Sequence, residues 1–212
     1  MSRTLLLALL LLPAFAATAS AGEELPVEAA PIVFVIDVSC SMGWDSQSYT
    51  ALDGATRTGT RMDRAKAEVT RSILAVPPGT PFDIVTWIGG PWAWADELVP
   101  ATTQNKLEAV AFVNSLQPTG ATGTGPATAW ALMNSAYASV MSYTLITDGA
   151  PNCLDSGYSW SDWQVHAGII GDANTKGATV NPVILIEPDY IDMQSFGTGV
   201  ASQNGGQLTV VP

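Results

Sequence analysis

Basic residues are scarce in this chain. Eight lysines and arginines stand against 19 acidic residues among 212 positions, giving a formal net charge of −11. Nucleic-acid binding depends on clustered Lys and Arg against phosphate, so this balance argues against it. Five of the basic residues (Arg57, Arg61, Arg64, Lys66 and Arg71) fall in one short stretch. The helical pattern there reads as a solvated helix face. Histidine occurs once and cysteine twice, and no His/Cys cluster with zinc spacing is present. Long apolar runs are missing as well. The one candidate, residues 4–14, is interrupted by Pro13 and is too short to span a bilayer. No Gly-x-Gly-x-x-Gly follows the first apolar strand, which removes the Rossmann dinucleotide site.

The N-terminus instead has the pattern of a secretory signal. Arg3 precedes the apolar run, and Ala19-Ser20-Ala21 supplies the small residues of a cleavage site. The expected division is a signal peptide over residues 1–21, cut near Ala21, a short leader over 22–30, and a single domain over 31–212. The mature chain would be secreted or periplasmic, with no transmembrane segment. Its length suits one α/β domain with a well-buried core.

Within that domain, Ile32-Val33-Phe34-Val35-Ile36 is continuously apolar and ends at Asp37. Continuous rather than alternating apolarity marks a strand covered on both faces. A Gly-, Ser- and Thr-rich loop is expected up to about Thr60. Met62, Ala65, Val69, Ile73 and Val76 then recur at helical spacing before Pro77-Pro78. Residues 83–88 read as a strand, Gly89-Gly90-Pro91 as a turn, and 94–99 as an antiparallel return. Helices follow from Thr103 and from about Pro126. Tyr143 to Thr147 is another apolar strand ending at an aspartate, Asp148. A helix over 165–175, a strand over 183–186, a helix over 196–204 and a strand over 208–211 complete the order. Strands alternating with helices give a doubly wound α/β fold: a mostly parallel central sheet, helices on both faces and one antiparallel edge strand.

Ligands of such sheets bind at the carboxyl ends of the strands, near the topological switch point. The first strand continues as Asp37-Val38-Ser39-Cys40-Ser41-Met42, the later one as Thr147-Asp148-Gly149. A Gly/Thr loop, Gly120-Ala121-Thr122, stands between them just before a helix. Carboxylates and hydroxyls are hard oxygen donors suited to magnesium or manganese, with calcium a weaker fit.

Asp-x-Ser-x-Ser, a loop threonine and Thr-Asp-Gly, in that order, resemble the metal-ion-dependent adhesion site of von Willebrand factor type A domains. The resemblance runs from about Ile32 to the C-terminus. It implies Asp37, Ser39, Ser41, Thr122 and Asp148 as metal ligands, with Thr124 as competitor for the threonine role. It further implies a protein or peptide ligand, or a surface polymer, that offers a carboxylate to the metal. The family usually has glycine where Cys40 stands. Its strand order brings Cys40 and Cys153 to one edge of the sheet, which raises a disulfide between them. Trp44, Trp92 and Trp160 fall in loops that this topology places on or near the metal face, where they would rim a ligand site or merely pad the loops. Trp87 and Trp130 are core candidates.

Enzyme readings remain as alternatives. A haloacid-dehalogenase-like phosphatase would place its nucleophile at Asp37, yet it wants a second aspartate where Ser39 stands, and Lys106 and Lys176 fall on expected helices. Cys40 with His166 would make a thiol hydrolase. A structural module whose metal only pins loops is the remaining possibility.

Overall fold

The computed structural model of the protein describes residues 29–149, 151–154, 162–185 and 191–211. The expected signal segment and Trp160 lie outside these. The first strand, β1 (Ile32–Ile36), sends Val33 and Val35 into one apolar layer and Phe34 and Ile36 into the other. That division is what continuous apolarity demands of a strand buried on both faces.

The polar stretch after β1 departs from the expected loop. It forms an antiparallel hairpin of β2 (Asp45–Thr50) and β3 (Thr56–Thr60), a separate two-stranded sheet. Helix α1 (Arg61–Ala75) follows directly, started by a capping box in which Thr60 and Asp63 satisfy each other's backbone N–H groups. Its Met62, Ala65, Val69 and Ile73 are buried. Full burial of each larger side chain contributes about 1.5–3 kcal/mol.

Strand β4 (Pro81–Trp87) is flanked along its outer edge by two short antiparallel segments, β5 (Pro91–Ala93) and β6 (Val99–Pro100). The expected single return strand is thus divided in two. Then come α2 (Thr103–Ser115), α3 (Thr124–Met133), β7 (Ser142–Thr147), α4 (Trp163–Ala173), β8 (Thr179–Ile184), α5 (Ile191–Gln203) and β9 (Thr209–Val210). The main sheet runs β5-β4-β1-β7-β8-β9, parallel from β4 through to β9. Helices α1 and α2 cover one face, while α3, α4 and α5 cover the other. The expected doubly wound α/β architecture holds. Among the described residues, no helix is long and apolar enough to cross a membrane.

The connection leaving β1 enters its neighbour β4, and the chain later returns on β1's other side as β7. The carboxyl ends of β1 and β7 therefore form the switch-point crevice. Ile36 and Ile146 are in register, so the residues that follow them emerge side by side.

Candidate functional site

Asp37 and Thr147 are the first residues past that register pair. The Asp37 N–H donates to the Ile146 carbonyl at 2.8 Å, and the Thr147 hydroxyl donates to Asp37 Oδ2 at 2.6 Å. Asp37 Oδ1 accepts the Ser39 N–H at 2.8 Å. Ser39 and Ser41 share a hydrogen bond between their hydroxyls at 3.2 Å. The Gly149 N–H donates back to Thr147 Oγ1 at 3.0 Å, which fixes Asp148 between two tied residues. Gly149 itself has φ +80°, and a Cβ there would stand 2.8 Å from the Met193 carbonyl oxygen, so the turn after Asp148 requires glycine.

The Gly/Thr loop locks between the other two. Cys40 N–H donates to Gly120 O at 3.0 Å, and Thr119 N–H donates to Val38 O. On its other side, the Thr122 carbonyl accepts the N–H groups of Asn152 and Cys153 at 3.0 and 3.1 Å. The Thr122 N–H donates to Asn152 Oδ1 at 3.0 Å. Just beyond it, Gly123 lies against the Trp87 ring so closely that a Cβ would come within 2.1 Å of Cε2. Three loops from distant parts of the sequence are thereby fastened by direct bonds. Asp37, Ser39, Thr122 and Asp148 are buried at their junction, and Ser41 is half-buried. Thr124, the competing threonine, is the first residue of α3. Its buried hydroxyl has no hydrogen-bond partner among the described residues, which leaves it as a second available donor.

Electrostatics distinguish the two carboxylates. Burial, and next the negative charge of Asp148, push the Asp37 carboxyl up to about 6, against the hydrogen bonds from Thr147 and Ser39. Asp148 is joined by Arg61, whose Nη1 donates to Oδ2 at 2.9 Å. This corrects the reading of the basic stretch as a solvated face. Arg61 and Arg64 are both buried, and Arg57 belongs to β3 rather than to the helix. The sequence held a signal: Arg61 shares the i, i+4 row of Ala65, Val69 and Ile73, the buried row of α1. Thr147 and Asn152 also escaped notice as the residues that brace Asp37 and Thr122.

Cys40 and Cys153 are not joined. Cys40 is exposed and Cys153 buried, with the Gly120–Thr122 loop accepting a backbone bond from each side between them. The strand order brings both loops to one edge, but the side chains face different surroundings. Trp44 is 60% exposed, with the Arg61 guanidinium 5.4 Å from its ring centroid. Trp92, on β5, packs edge-on against Phe112 with half its surface in solvent. Trp87 is buried and Trp130 packs on the core, as expected.

His166 is neither superficial nor satisfied. It is wholly buried against Gly125, neither ring nitrogen has a hydrogen-bond partner among the described residues, and burial lowers it to about 4. It is therefore neutral and makes no hydrogen bond to Cys40. Among the described residues no three His, Cys, Asp or Glu side chains cluster. The donor set is instead two carboxylates and several hydroxyls, all oxygen, which fits a hard divalent cation in octahedral coordination.

No protein-family model matches the chain. Inter-alpha-trypsin inhibitor heavy chain H3 of Bos taurus is 32% identical over 102 residues, covering 48% of this chain and 10% of that protein. The matched segment is thus a small part of its relative. Among solved structures, a von Willebrand factor type A protein from Catenulispora acidiphila superimposes with a TM-score of 0.63 at 18% identity, over 87% of this chain and 39% of that one. The pilus adhesin SpaC from Lactobacillus rhamnosus GG gives 0.61 at 14% identity, over 88% and 29%. The fold is that of a von Willebrand factor A domain.

Proposed function

We propose that this chain, built on a von Willebrand factor A fold, is a binding protein rather than an enzyme, and that it grips its ligand through a divalent cation. Asp37, Ser39, Ser41, Thr122 and Asp148 would hold Mg2+ or Mn2+. An acidic residue of a protein or peptide ligand would take the open coordination position. The observation that carries this reading is the placement of two carboxylates on adjacent strand ends, close enough for Asp148 to raise Asp37. Such a pair is costly alone and is offset by a cation, which also lets an acidic protein meet an acidic partner.

The loops are already fastened by direct hydrogen bonds, so a cation has no need to pin them. That weakens the purely structural alternative. The likeness to a pilus adhesin supports a surface-binding role, with export by a signal cut near Ala21 and Trp44 beside the site as a rim residue.

The test is isothermal titration of the chelator-stripped protein with Mg2+ and Mn2+. Saturable binding near one ion per chain is expected, and loss of that binding in an Asp37→Ala, Asp148→Ala variant. A folded wild-type protein that takes up neither ion rejects the reading.

A further inference from the structure

Arg61 occupies an unusual position for a residue of a cation site. It is the first residue of α1, and its Nη1 donates to Asp148 Oδ2 at 2.9 Å, with side-chain exposures of 9% and 0%. Its backbone N–H donates to the Trp44 carbonyl at 3.0 Å, and its guanidinium lies 5.4 Å from the Trp44 ring centroid. One side chain therefore joins the second carboxylate of the site to the exposed aromatic that precedes the β2–β3 hairpin.

A guanidinium and a divalent cation both seek the lone pairs of Asp148. A cation held by Asp37 and Asp148 would also sit close to a positive charge in a poorly solvated place, where repulsion is strong. We propose that Arg61 is the site's internal competitor for the cation. In the cation-free protein it neutralises Asp148; on cation binding it gives up that oxygen while staying tethered to Trp44 through its backbone. Cation occupancy is thereby transmitted to the face of Trp44 and to the hairpin behind it. This inference rests on the cation-binding reading above and extends it.

The experiment compares wild type, Arg61→Gln and Arg61→Lys by titration with Mg2+ after chelator treatment, with thermal melts in chelator to show that each is folded. Arg61→Gln is expected to bind Mg2+ about tenfold more tightly, because the competing charge is gone. Arg61→Lys keeps the charge but loses the planar fork, and is expected to fall between the two. The melting deficit of Arg61→Gln should be large in chelator and shrink with saturating Mg2+, a pattern that a purely structural arginine would not produce. Should Arg61→Gln fail to fold, Arg61→Lys carries the comparison, and affinity no tighter than wild type overturns the proposal. Equal or weaker binding by a folded Arg61→Gln would mean that Arg61 supports the cation, which overturns the competition while leaving the cation site standing. Absence of Mg2+ binding in all three proteins overturns both.

Discussion

Asp83 and Asp37 are buried aspartates at opposite ends of one sheet. Near the amino ends of the strands, Asp83 accepts the Tyr137 hydroxyl at 2.6 Å and the N–H groups of Ile84 and Ala95 at 2.6 and 3.1 Å. Lys176 closes this end by donating to Tyr137 O and Tyr143 Oη. Burial raises the Asp83 carboxyl, yet its donors are neutral and the like charge of Asp96 contributes least. At the carboxyl ends, Asp37 has two donors of its own but faces a second carboxylate that needs an arginine beside it. A buried carboxylate saturated by neutral donors is architecture. Two adjacent ones, sharing their surroundings with hydroxyls, form a place where positive charge is wanted.

The largest effect should come from breaking the charge pair. Asp148→Ala leaves Arg61 buried and uncompensated, at a cost of about 3–5 kcal/mol in urea unfolding with chelator present. A cost below about 1 kcal/mol would show that water reaches the pair and that the two ends of the sheet are not so different.

Next in size is the pH dependence of Asp37. Its raised value means that the folded protein holds a proton which the unfolded chain releases. The stability contributed is complete below 3.8 and is lost as pH climbs through about 6. In chelator, Asp37→Asn should therefore gain on wild type between pH 4 and 7 by up to about 3 kcal/mol. Saturating Mg2+ should abolish that gain at pH 7. A difference that ignores Mg2+ would place Asp37 in the same class as Asp83.

Tyr137→Phe tests the other end. It strips a hydroxyl from Asp83 and should cost about 1–3 kcal/mol, with cation affinity unchanged. An altered Mg2+ titration would mean that the two ends are linked through β4 and β1. Smallest is Asn152→Ala, which frees the Thr122 N–H. About 1 kcal/mol of stability should go, along with a few-fold loss of cation affinity as the Gly/Thr loop loosens.

Much of this contrast was legible before the fold was known. The apolar stretches of β1 and β7, each followed by an aspartate, pointed to buried strands and to the two carboxylates, while their adjacency came from the family resemblance. The rows of α1 did the same for its buried face. The hairpin was not legible, because Asp-Ser-Gln-Ser-Tyr-Thr and Thr-Arg-Thr-Gly-Thr carry no alternating apolar pattern and β3 is largely exposed. Arg61 was misread because its partner lies 87 residues away, and a charge on a helix looks solvated until something distant covers it. The cysteines make a related point: strand order places their loops at one edge, but the direction of each side chain is settled only by what packs around it.

The margins of the main sheet are short on both sides, with three- and two-residue segments along β4 and a two-residue β9 at the opposite border. Such stubs present little unpaired backbone for another chain to join. Ladder extension, the generic route by which sheets polymerise or recruit peptides, is thus poorly served by these border segments. In the proposed reading, recognition would fall to side chains and to the rim of the switch-point crevice, where selectivity would be set one residue at a time.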